Sequence, residues 1–588
     1  MFKTIRLNPI QSMRLLVALF VGLSAQFVFL TPIFEAPDEP YHFTFAHQIS
    51  NRWRLPNQKT TEGPAKQEAS QPPLFYGVAA VLITPFSREG LQALREPNPH
   101  ANTGAPDALI NRNYVVQHEP YPIRFDPPRA AIYAVRLLNV VWGAVTVWAV
   151  WKTARAAAPD VPGIALLACG LTALNPQFAF ISGAVNNDAM TAMWGSLILW
   201  QTLVMLREGF TTRRSVLIAI LVALATLTKV SGLLFGITVA AAAIWRHFRE
   251  RDWRGFLILA LSGVVFWALI AGWWYARNLQ LYGDFTGTST MLRWVGQRPP
   301  VGFGSLLKEL GSLTISYWSI FGWFNVLAPR LVYTVIDVLV IASAAGIGIG
   351  LWRLRRDRSQ LVPWLVLALT FIMGLTALTA WTITTYGTQG RLLFPYIAAI
   401  SALIAFGLTT LRVPGRMILA VLGVYAYSVP LTLIVPLYDP HEVLDTLPGG
   451  SIPFAASWDG QIEVVGHDVL EGTFQQGDLV PVTLYWTPIR TSETDYSLFL
   501  HLLTPDATIV GQVDSYPSGG LRRTSLWYAG QVYPDTYQIR ITEPLPPGTL
   551  LRLEMGWYDA RTGERLPAYD GMGEPAPSVI IPAGRAAP

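Results

Sequence analysis

An acidic pair and a histidine stand directly behind the first apolar segment of the chain. That segment runs from Met13 to Ile33 and is followed by Glu35-Ala-Pro-Asp-Glu-Pro-Tyr-His42. Two adjacent carboxylates, Asp38 and Glu39, repel each other, which suits one of them to act as a general base. With His42 they could bind a divalent cation, and as Pro37-Asp-Glu-Pro they could instead cap a helix.

The composition indicates a membrane protein. Hydrophobic residues make up 52% of the 588 residues and charged residues 14%, whereas soluble domains carry about 25% charged residues. Lys and Arg lie mostly in short loops between apolar segments, where they orient the protein, so the net charge of +5 implies no nucleic-acid partner. The single cysteine, Cys169, lies inside an apolar segment and can form no intrachain disulfide.

The apolar segments predict an α-helical polytopic protein with about eleven transmembrane helices. Lys229 interrupts one pair, which is either two short helices or one broken helix. Because Lys3, Arg6 and Arg14 accompany the first segment, a cleaved signal peptide is an alternative there. The predicted spans lie near 13–33, 130–152, 161–182, 188–206, 215–228, 231–245, 255–275, 330–352, 361–382, 391–411 and 415–437.

The basic clusters predict the orientation. They follow every second span and so lie on the side of the N-terminus, which the positive-inside rule makes cytoplasmic. We therefore expect a multi-pass protein of the cytoplasmic cell membrane, with its C-terminal tail extracytoplasmic. Residues 34–129 and 276–329 form the long outer segments, and Pro73 to Phe86 predicts a short apolar helix near the membrane surface.

The tail has a different pattern, which separates a membrane domain of residues 1–440 from a β-domain of residues 445–588. Alternating apolar residues between Gly- and Pro-rich turns predict an all-β sandwich outside the membrane. Six of its aromatic side chains could stack on sugar faces or pack in the core: Tyr485, Trp486, Trp527, Tyr528, Trp557 and Tyr558.

Further polar residues fall at span ends, and the predicted topology puts them on the outer side. Each has an ordinary alternative, because Asn and Asp cap helices, a lysine snorkels and a lone arginine anchors a span. Asn175 and Gln177 lie within a span and are harder to explain as caps. Together, five charged residues predict a cationic pocket for an anionic lipid headgroup with a carboxylate beside it: Asp38, Glu39, Lys229, Arg277 and Arg391.

These residues resemble motifs of the GT-C superfamily of membrane glycosyltransferases, and more closely a group of largely uncharacterised multi-pass bacterial and archaeal members. The resemblance covers about residues 30–400. The matching segments are Ala36 to His42, Ser70 to Leu74, Asn175 to Gln177, Ser182 to Asp188, Leu227 to Lys229, Arg277-Asn278, Tyr282 to Asp284 and Gln389 to Arg391.

The resemblance implies a glycosyltransferase that moves a hexose or pentose from a polyprenyl-phosphate-linked donor to a glycan, lipid or protein acceptor, with inversion. Asp38 or Glu39 would be the base. Lys229, Arg277 and Arg391 would bind the donor phosphate. The supporting polar residues would be His42, Gln71, Asn187, Asp188, Asn278, Asp284 and Gln389.

The acidic motif leaves two questions open. Asp-Glu replaces the Asp-Asp or Asp-x-Asp of better-known members, so the identity of the base and the use of a metal are not decided. No cofactor is certain, and a divalent ion such as Mg or Mn would be held by Asp38, Glu39 and His42.

Two other classes of function are alternatives. A transporter or flippase for lipid-linked sugars would place its charges near the bilayer midplane, often with internal repeats. This chain has its charges at one predicted surface and no visible repeat. A glycan-binding membrane scaffold would need only the β-domain and a plain anchor, which leaves the polar residues at the span ends without a role.

Overall fold

The computed structural model describes residues 8–61, 65, 67–87, 89–116, 123–440, 442–468 and 470–587, without the side chain of Phe303. Lys3 and Arg6 lie outside the described residues. The α-helices are Pro9–Leu30, Glu39–Arg52, Leu74–Ile83, Pro127–Ala157, Pro162–Ala173, Pro176–Ser182, Asp188–Glu208, Thr212–Thr228, Leu233–Glu250, Trp253–Trp267, Trp273–Tyr282, Thr288–Val295, Phe303–Lys308, Leu310–Trp318, Arg330–Leu354, Arg358–Thr384, Ile397–Thr410 and Gly415–Val429.

The described helices confirm a polytopic membrane protein. Nine helical segments are long and apolar enough to cross a membrane when 3₁₀ and π turns are included, as in Trp253–Tyr282, Gly390–Thr410 and Gly415–Leu437. A tenth span results if Pro162–Ala173 and Pro176–Ser182, bent by 57°, count as one. The remaining predicted span, 215–228, corresponds to the helix Thr212–Thr228. Its 17 residues lie at the lower limit for a transmembrane helix. Lys229 separates two helices rather than kinking one. The predicted short apolar helix is present at Leu74–Ile83.

The chain divides into two compact units by its own contacts. The first contains residues 1–89, 125–321 and 327–434, and thus the membrane helices. The second contains residues 90–124, 322–326 and 435–588. The middle of the first long outer segment therefore belongs to the same unit as the β-domain.

The second unit contains a β-sandwich, as the tail pattern predicts. Within the described residues one sheet has five strands, in the order Thr473–Phe474, Val579–Ala586, Leu550–Asp559, Tyr496–Leu503 and Ile509–Ser515. The other has six strands, in the order Pro575–Ala576, Ala568–Asp570, Ile452–Trp458, Ile462–His467, Leu479–Pro488 and Tyr533–Arg540.

The sandwich core takes three of the six aromatic residues that the sequence offered for sugar stacking. Trp486, Trp527 and Trp557 are at most 1% exposed and pack together in the core. Tyr485 is buried as well, whereas Tyr528 is 68% exposed. Burial of large aromatic surface stabilises a small sandwich, so these tryptophans serve its fold.

Asparagines join the segment 90–124 to the sandwich. Asn111 donates from its amide to the Asp514 carbonyl at 2.8 Å, and Asn113 donates to the Gly520 carbonyl at 2.7 Å. Gly520 has a φ of +102°, and a Cβ there would lie 2.6 Å from the Asn113 Oδ1. The contact therefore requires a glycine both for its backbone conformation and for space.

Close helix packing in the membrane unit also depends on glycine. Arg330–Leu354 and Ile397–Thr410 approach at Gly346 and Gly407. A Cβ on Gly346 would lie 2.1 Å from the Gly407 carbonyl oxygen, and one on Gly407 would lie 2.2 Å from the Ser343 carbonyl oxygen. Small residues let helix backbones approach where lipid supplies no hydrophobic driving force.

We expect Gly346→Ala to destabilise the purified protein. The clash is with backbone, which cannot move aside, and overpacking costs about 1–3 kcal/mol. The measurement is the thermal midpoint in detergent. Gly348→Ala is the matched control, because among the described atoms nothing lies within 4 Å of a Cβ there. In an unobstructed helix the same change stabilises by up to about 1 kcal/mol. Equal midpoints for the two variants would contradict the packing described here.

Candidate active site

Asp38 and Arg391 form one ion pair of the candidate site. Asp38 occupies the position before the helix Glu39–Arg52, but its φ of 62° is left-handed and its side chain caps none of the described N–H groups of that helix. It contacts the guanidinium of Arg391 instead. Arg391 lies in the 3₁₀ turn Gly390–Tyr396, and its Nε donates to the Gln389 side chain at 2.8 Å. Left-handed residues other than glycine concentrate at functional sites.

Lys229 and Asp188 form the second ion pair. Asp188 is the first residue of the helix Asp188–Glu208, and Lys229 lies at the junction between Thr212–Thr228 and Leu233–Glu250. The ammonium of Lys229 contacts the Asp188 carboxylate. Asn187 precedes Asp188 and donates to the Thr228 carbonyl at 3.5 Å. The lysine is therefore paired rather than directed to the lipid headgroups.

A buried histidine lies near both ion pairs. The Nδ1 of His42 lies 2.8 Å from the hydroxyl of Tyr76 and 3.8 Å from the Glu68 carboxyl, and the Tyr76 hydroxyl donates to Glu68 at 3.4 Å. The charges that act on His42 come from Asp38, Asp188, Lys229 and Arg391. All four charged residues are thus close enough to influence the same imidazole.

Burial sets the charge of the two titratable groups beside these pairs. Loss of solvation lowers the pKa of His42 to about 4, although Asp38 and Asp188 oppose the shift. Loss of solvation raises the pKa of Glu68 to about 8, and the negative charge of Asp38 adds to it. At pH 7 His42 is therefore neutral and Glu68 is mostly protonated.

Glu39 has a different environment from Asp38. Its carboxylate is fully buried and accepts from the Nε and Nη2 of Arg136 at 2.7 and 2.6 Å. It also accepts the backbone N–H groups of Phe34 and Val185, each at 2.9 Å. Asp38 is 24% exposed at its side chain, so of the two carboxylates only Asp38 is open to solvent.

Arg136 connects Glu39 to the end of the first helix. Its Nη1 donates to the carbonyls of Val28 and Thr31 at 2.8 Å each, and its Nη2 to that of Pro32 at 3.0 Å. Asn139 lies one turn after Arg136 in the helix Pro127–Ala157. It donates to the Ala184 and Asn186 carbonyls at 2.5 and 2.9 Å. This network fixes the turns that carry Asp38 and Asp188.

Two other predicted residues of the second outer segment, Arg277 and Asp284, make contacts outside the two ion pairs. Arg277 donates to the Pro56 carbonyl at 2.7 Å and lies over the Trp274 ring. Asp284 accepts from the backbone N–H groups of Thr286 and Ser289 at 3.0 and 2.8 Å, so it shapes its own turn.

Two predicted amides lie near the first outer segment. Gln71 donates from its backbone N–H to the Glu68 carbonyl at 2.8 Å, which closes the turn after the buried acid. Asn278 is fully buried, and its two amide atoms have no hydrogen-bond partner within the described residues. A Cβ on Gly287 would lie 3.6 Å from that amide and 3.3 Å from Ser70, so Asn278 is beside the Ser70-Gln71 motif.

Asn175 is a helix cap, contrary to the sequence interpretation. Its side chain accepts the Phe178 N–H at 3.0 Å and starts Pro176–Ser182 after the 57° bend. The span is broken there, which makes room for an N-cap inside the membrane domain. Gln177 accepts the Ile320 N–H at 2.6 Å.

The predicted metal ligands do not fit a shared ion. Glu39 is occupied by Arg136, Asp38 by Arg391, and the Nδ1 of His42 by Tyr76. Among the described residues, no group of three or more His, Cys, Asp or Glu side chains is arranged to hold a metal ion.

Three residues of this site escaped the sequence interpretation: Glu68, Tyr76 and Arg136. Arg136 carried a signal, because an arginine inside an apolar span is a functional candidate by default. Glu68 precedes the Ser70-Gln71 motif by two residues but has no other distinguishing feature. Tyr76 lies in the predicted surface helix among other apolar residues.

Comparisons with known proteins place the site within a family. A family model described as a predicted membrane protein, DUF2142, matches residues 19–404. That range includes Asp38, Asp188, Lys229 and Arg391. No curated protein sequence matches the chain.

Several solved structures are similar to the chain. An oligosaccharyltransferase of Archaeoglobus fulgidus, tethered with an acceptor peptide, has 12% identity and a TM-score of 0.38 over 71% of this chain and 54% of its own. ArnT from Cupriavidus metallidurans, bound to undecaprenyl phosphate, has 17% identity and a TM-score of 0.38 over 72% of this chain and 66% of its own. The arabinosyltransferase EmbB from Mycobacterium smegmatis has 11% identity and a TM-score of 0.37 over 99% of this chain and 66% of its own.

These neighbours are GT-C glycosyltransferases, the group that the sequence motifs resemble. The chain spans between about half and two thirds of their lengths, 54% to 66%. With TM-scores of 0.37 to 0.38, the likeness carries no argument about activity, which has to come from this chain's own residues.

We expect Glu39→Gln to destabilise the protein far more than Asp38→Asn. Breaking a fully buried ion pair leaves the other charge unpaired and costs about 3–5 kcal/mol. Asn at position 38 still accepts a hydrogen bond and is partly exposed. Thermal midpoints and monodisperse yield in detergent measure the difference. Equal losses in the two variants would mean that Glu39 has no special structural role.

The raised pKa of Glu68 predicts a pH-dependent stability. The unfolded carboxyl ionises near its ordinary pKa of 4.5, whereas burial raises the pKa of the folded one to about 8. Its contribution is therefore fully present below pH 4.5 and is lost as the pH rises to 8. We expect Glu68→Gln, which cannot ionise, to match the wild-type thermal midpoint at pH 5 and to exceed it by several degrees at pH 8.5. A difference that does not change with pH would contradict this environment.

Proposed function

This chain belongs to the DUF2142 family of membrane proteins, and we propose that it transfers a sugar from a polyprenyl-phosphate carrier to an acceptor hydroxyl. One observation carries the proposal. Two cations and a partly exposed carboxylate, from three distant segments, meet at the ends of membrane helices: Lys229, Arg391 and Asp38. An enzyme for such a donor has to bind a phosphate at the membrane surface and provide a base beside it.

Lys229 and Arg391 are the proposed phosphate ligands. In the resting site each is paired with a carboxylate, so the four charges balance. A donor phosphate adds a negative charge and competes with Asp38 and Asp188 for the two cations. When the sugar leaves, more charge develops on the phosphate, and fixed cations stabilise that charge most strongly in a site of low dielectric constant.

Asp38 is the proposed general base. It is the open carboxylate of the acidic pair, whereas Glu39 is fully occupied by Arg136 and backbone N–H groups. The acceptor O–H gives its proton to Asp38 while its oxygen bonds to the anomeric carbon. The bond from that carbon to the phosphate oxygen breaks, and its electron pair leaves with the lipid phosphate. A single displacement of this kind inverts the anomeric configuration.

The neutral residues around the charges complete the proposed donor site. Uncharged His42 and Glu68 add polar contacts without adding charge at pH 7. The buried amide of Asn278 suits a sugar hydroxyl, since amides and hydroxyls both donate and accept. We place this site at the extracytoplasmic face of the cytoplasmic membrane, as the distribution of arginines predicts.

The first test is transfer from a panel of radiolabelled polyprenyl-phosphate sugars by the purified, lipid-reconstituted protein. We expect the wild type to release lipid phosphate from at least one donor. Asp38→Asn should lower the rate by about 10²–10⁴-fold, the range for a lost general base. Arg391→Gln should lower it by about 10²-fold or more, because a preorganised charge is lost.

Asp126→Asn is the matched control. Asp126 caps Pro127–Ala157 by accepting the Arg129 N–H at 3.1 Å, and Asn caps equally well. It should retain wild-type transfer. Full activity in Asp38→Asn would reject Asp38 as the base. Movement of lipid-linked sugar across the bilayer without release of phosphate would replace the proposal with a transporter.

A further inference from the structure

A polar cavity lies at the other end of the helices that carry the candidate active site. It has a volume of about 510 Å³. Its lining includes three arginines, Arg207, Arg246 and Arg249, and the aromatic rings of Trp364 and Phe406. A volume of this size is within the range of small-molecule sites, which is roughly 300–1,000 Å³.

The helix geometry separates this cavity from the candidate active site by the thickness of a membrane. Asp188 begins the helix Asp188–Glu208, and Arg207 is near its end. At a rise of about 1.5 Å per residue the two are about 29 Å apart, close to the hydrocarbon thickness of a bilayer. The helix Leu233–Glu250 starts just after Lys229 and carries Arg246 and Arg249 in its last turns.

Two of the three arginines at the cavity are held in place by backbone carbonyls. Arg207 donates to the Ala157 carbonyl at 2.9 Å, and Arg246 donates to the Leu206 carbonyl at 2.8 Å. Arg249 lies over the ring of Trp245, 5.4 Å from its centroid. A guanidinium that is fixed before a ligand arrives loses little conformational freedom on binding.

The positive charge at the cavity is not fully balanced. Two acidic residues line it: Glu250 forms an ion pair with Arg246, and Asp160 attracts the charge of Arg207. Three arginines thus face two carboxylates. Arg246 is 7% exposed, and its Nε has no hydrogen-bond partner in the described part of the chain. An unpartnered buried donor is costly, so this atom indicates a missing acceptor.

A helix start adds further positive potential. Pro162–Ala173 begins at the cavity, where Val161 and Ile164 are lining residues. Its N-cap residue, Val161, has an apolar side chain, which can accept no hydrogen bond from the N–H groups of the first turn. The first turn of a helix attracts anions, phosphate above all.

We propose that this cavity binds the phosphate of an anionic membrane lipid. Arg207, Arg246 and Arg249 contact the phosphate, and Trp364 and Phe406 contact its glycerol or acyl portion. The basic clusters predict that this end is cytoplasmic, where basic pockets between membrane helices bind lipid headgroups. The site is independent of the proposed transferase activity, because none of its lining residues lies in the candidate active site.

The test compares lipid binding in the full-length protein. Native mass spectrometry and thermal midpoints in detergent are measured with phosphatidylglycerol, with phosphatidylcholine and with inorganic phosphate. We expect phosphatidylglycerol to bind and to raise the midpoint by several degrees, and phosphatidylcholine to do so weakly. In Arg207→Gln/Arg249→Gln the affinity for phosphatidylglycerol should fall tenfold or more.

Matched variants separate site loss from general charge loss. Arg213→Gln removes an exposed arginine at the same membrane end that does not line the cavity, and should bind as the wild type does. Arg249→Gln alone should fold normally and still weaken binding, since Arg249 is exposed and stacks on a ring. Wild-type affinity in the double variant would overturn the site. If inorganic phosphate binds and phosphatidylglycerol does not, the site binds phosphate but the lipid is rejected as its source.

Discussion

The arrangement of the candidate active site depends on the buried ion pair between Glu39 and Arg136. The two side chains form two hydrogen bonds with each other. Arg136 also donates to the Val28 carbonyl at the end of the first helix, and Glu39 also accepts the Val185 N–H. Inside a membrane unit an unpaired charge would be very costly, so each group holds the other in place. This ion pair also positions Asp38, because Asp38 directly precedes Glu39 in the chain. Asp188 lies three residues after Val185, so the same pair also fixes the second carboxylate.

The site combines fixed charges with neutral groups, and burial decides which is which. Asp38 and Asp188 keep cationic partners, whereas His42 and Glu68 are buried beside them and stay neutral because water no longer solvates their charged forms. The left-handed φ of Asp38 turns its carboxylate away from the helix that it precedes. Backbone strain of about 1–3 kcal/mol at such a position persists only when the surroundings overdetermine it. The Glu39 anchor provides that constraint.

The sequence predicts elements better than it predicts partners. Apolar length located the spans, and period-two alternation located the sandwich, because Val480, Val482 and Leu484 are buried on one face as expected. The aromatic residues were harder, since Trp486 in a strand looks the same whether it packs or binds sugar. Partners such as Arg391 for Asp38 join residues more than 350 positions apart, and no local pattern encodes that contact. Asn175 was misjudged because the break in its span is a property of the fold.

The same helices carry opposite chemistry at their two ends. At one end of Asp188–Glu208 a carboxylate pairs with Lys229, and at the other end Arg207 faces a cavity with excess positive charge. The spans between them are mainly apolar and cannot shift along the membrane normal without burying a charge in lipid. We therefore expect both ends to lie at headgroup depth, where phosphates lie. For the proposed function, this predicts that Asp38, Lys229 and Arg391 lie at the level of a lipid phosphate before any substrate binds.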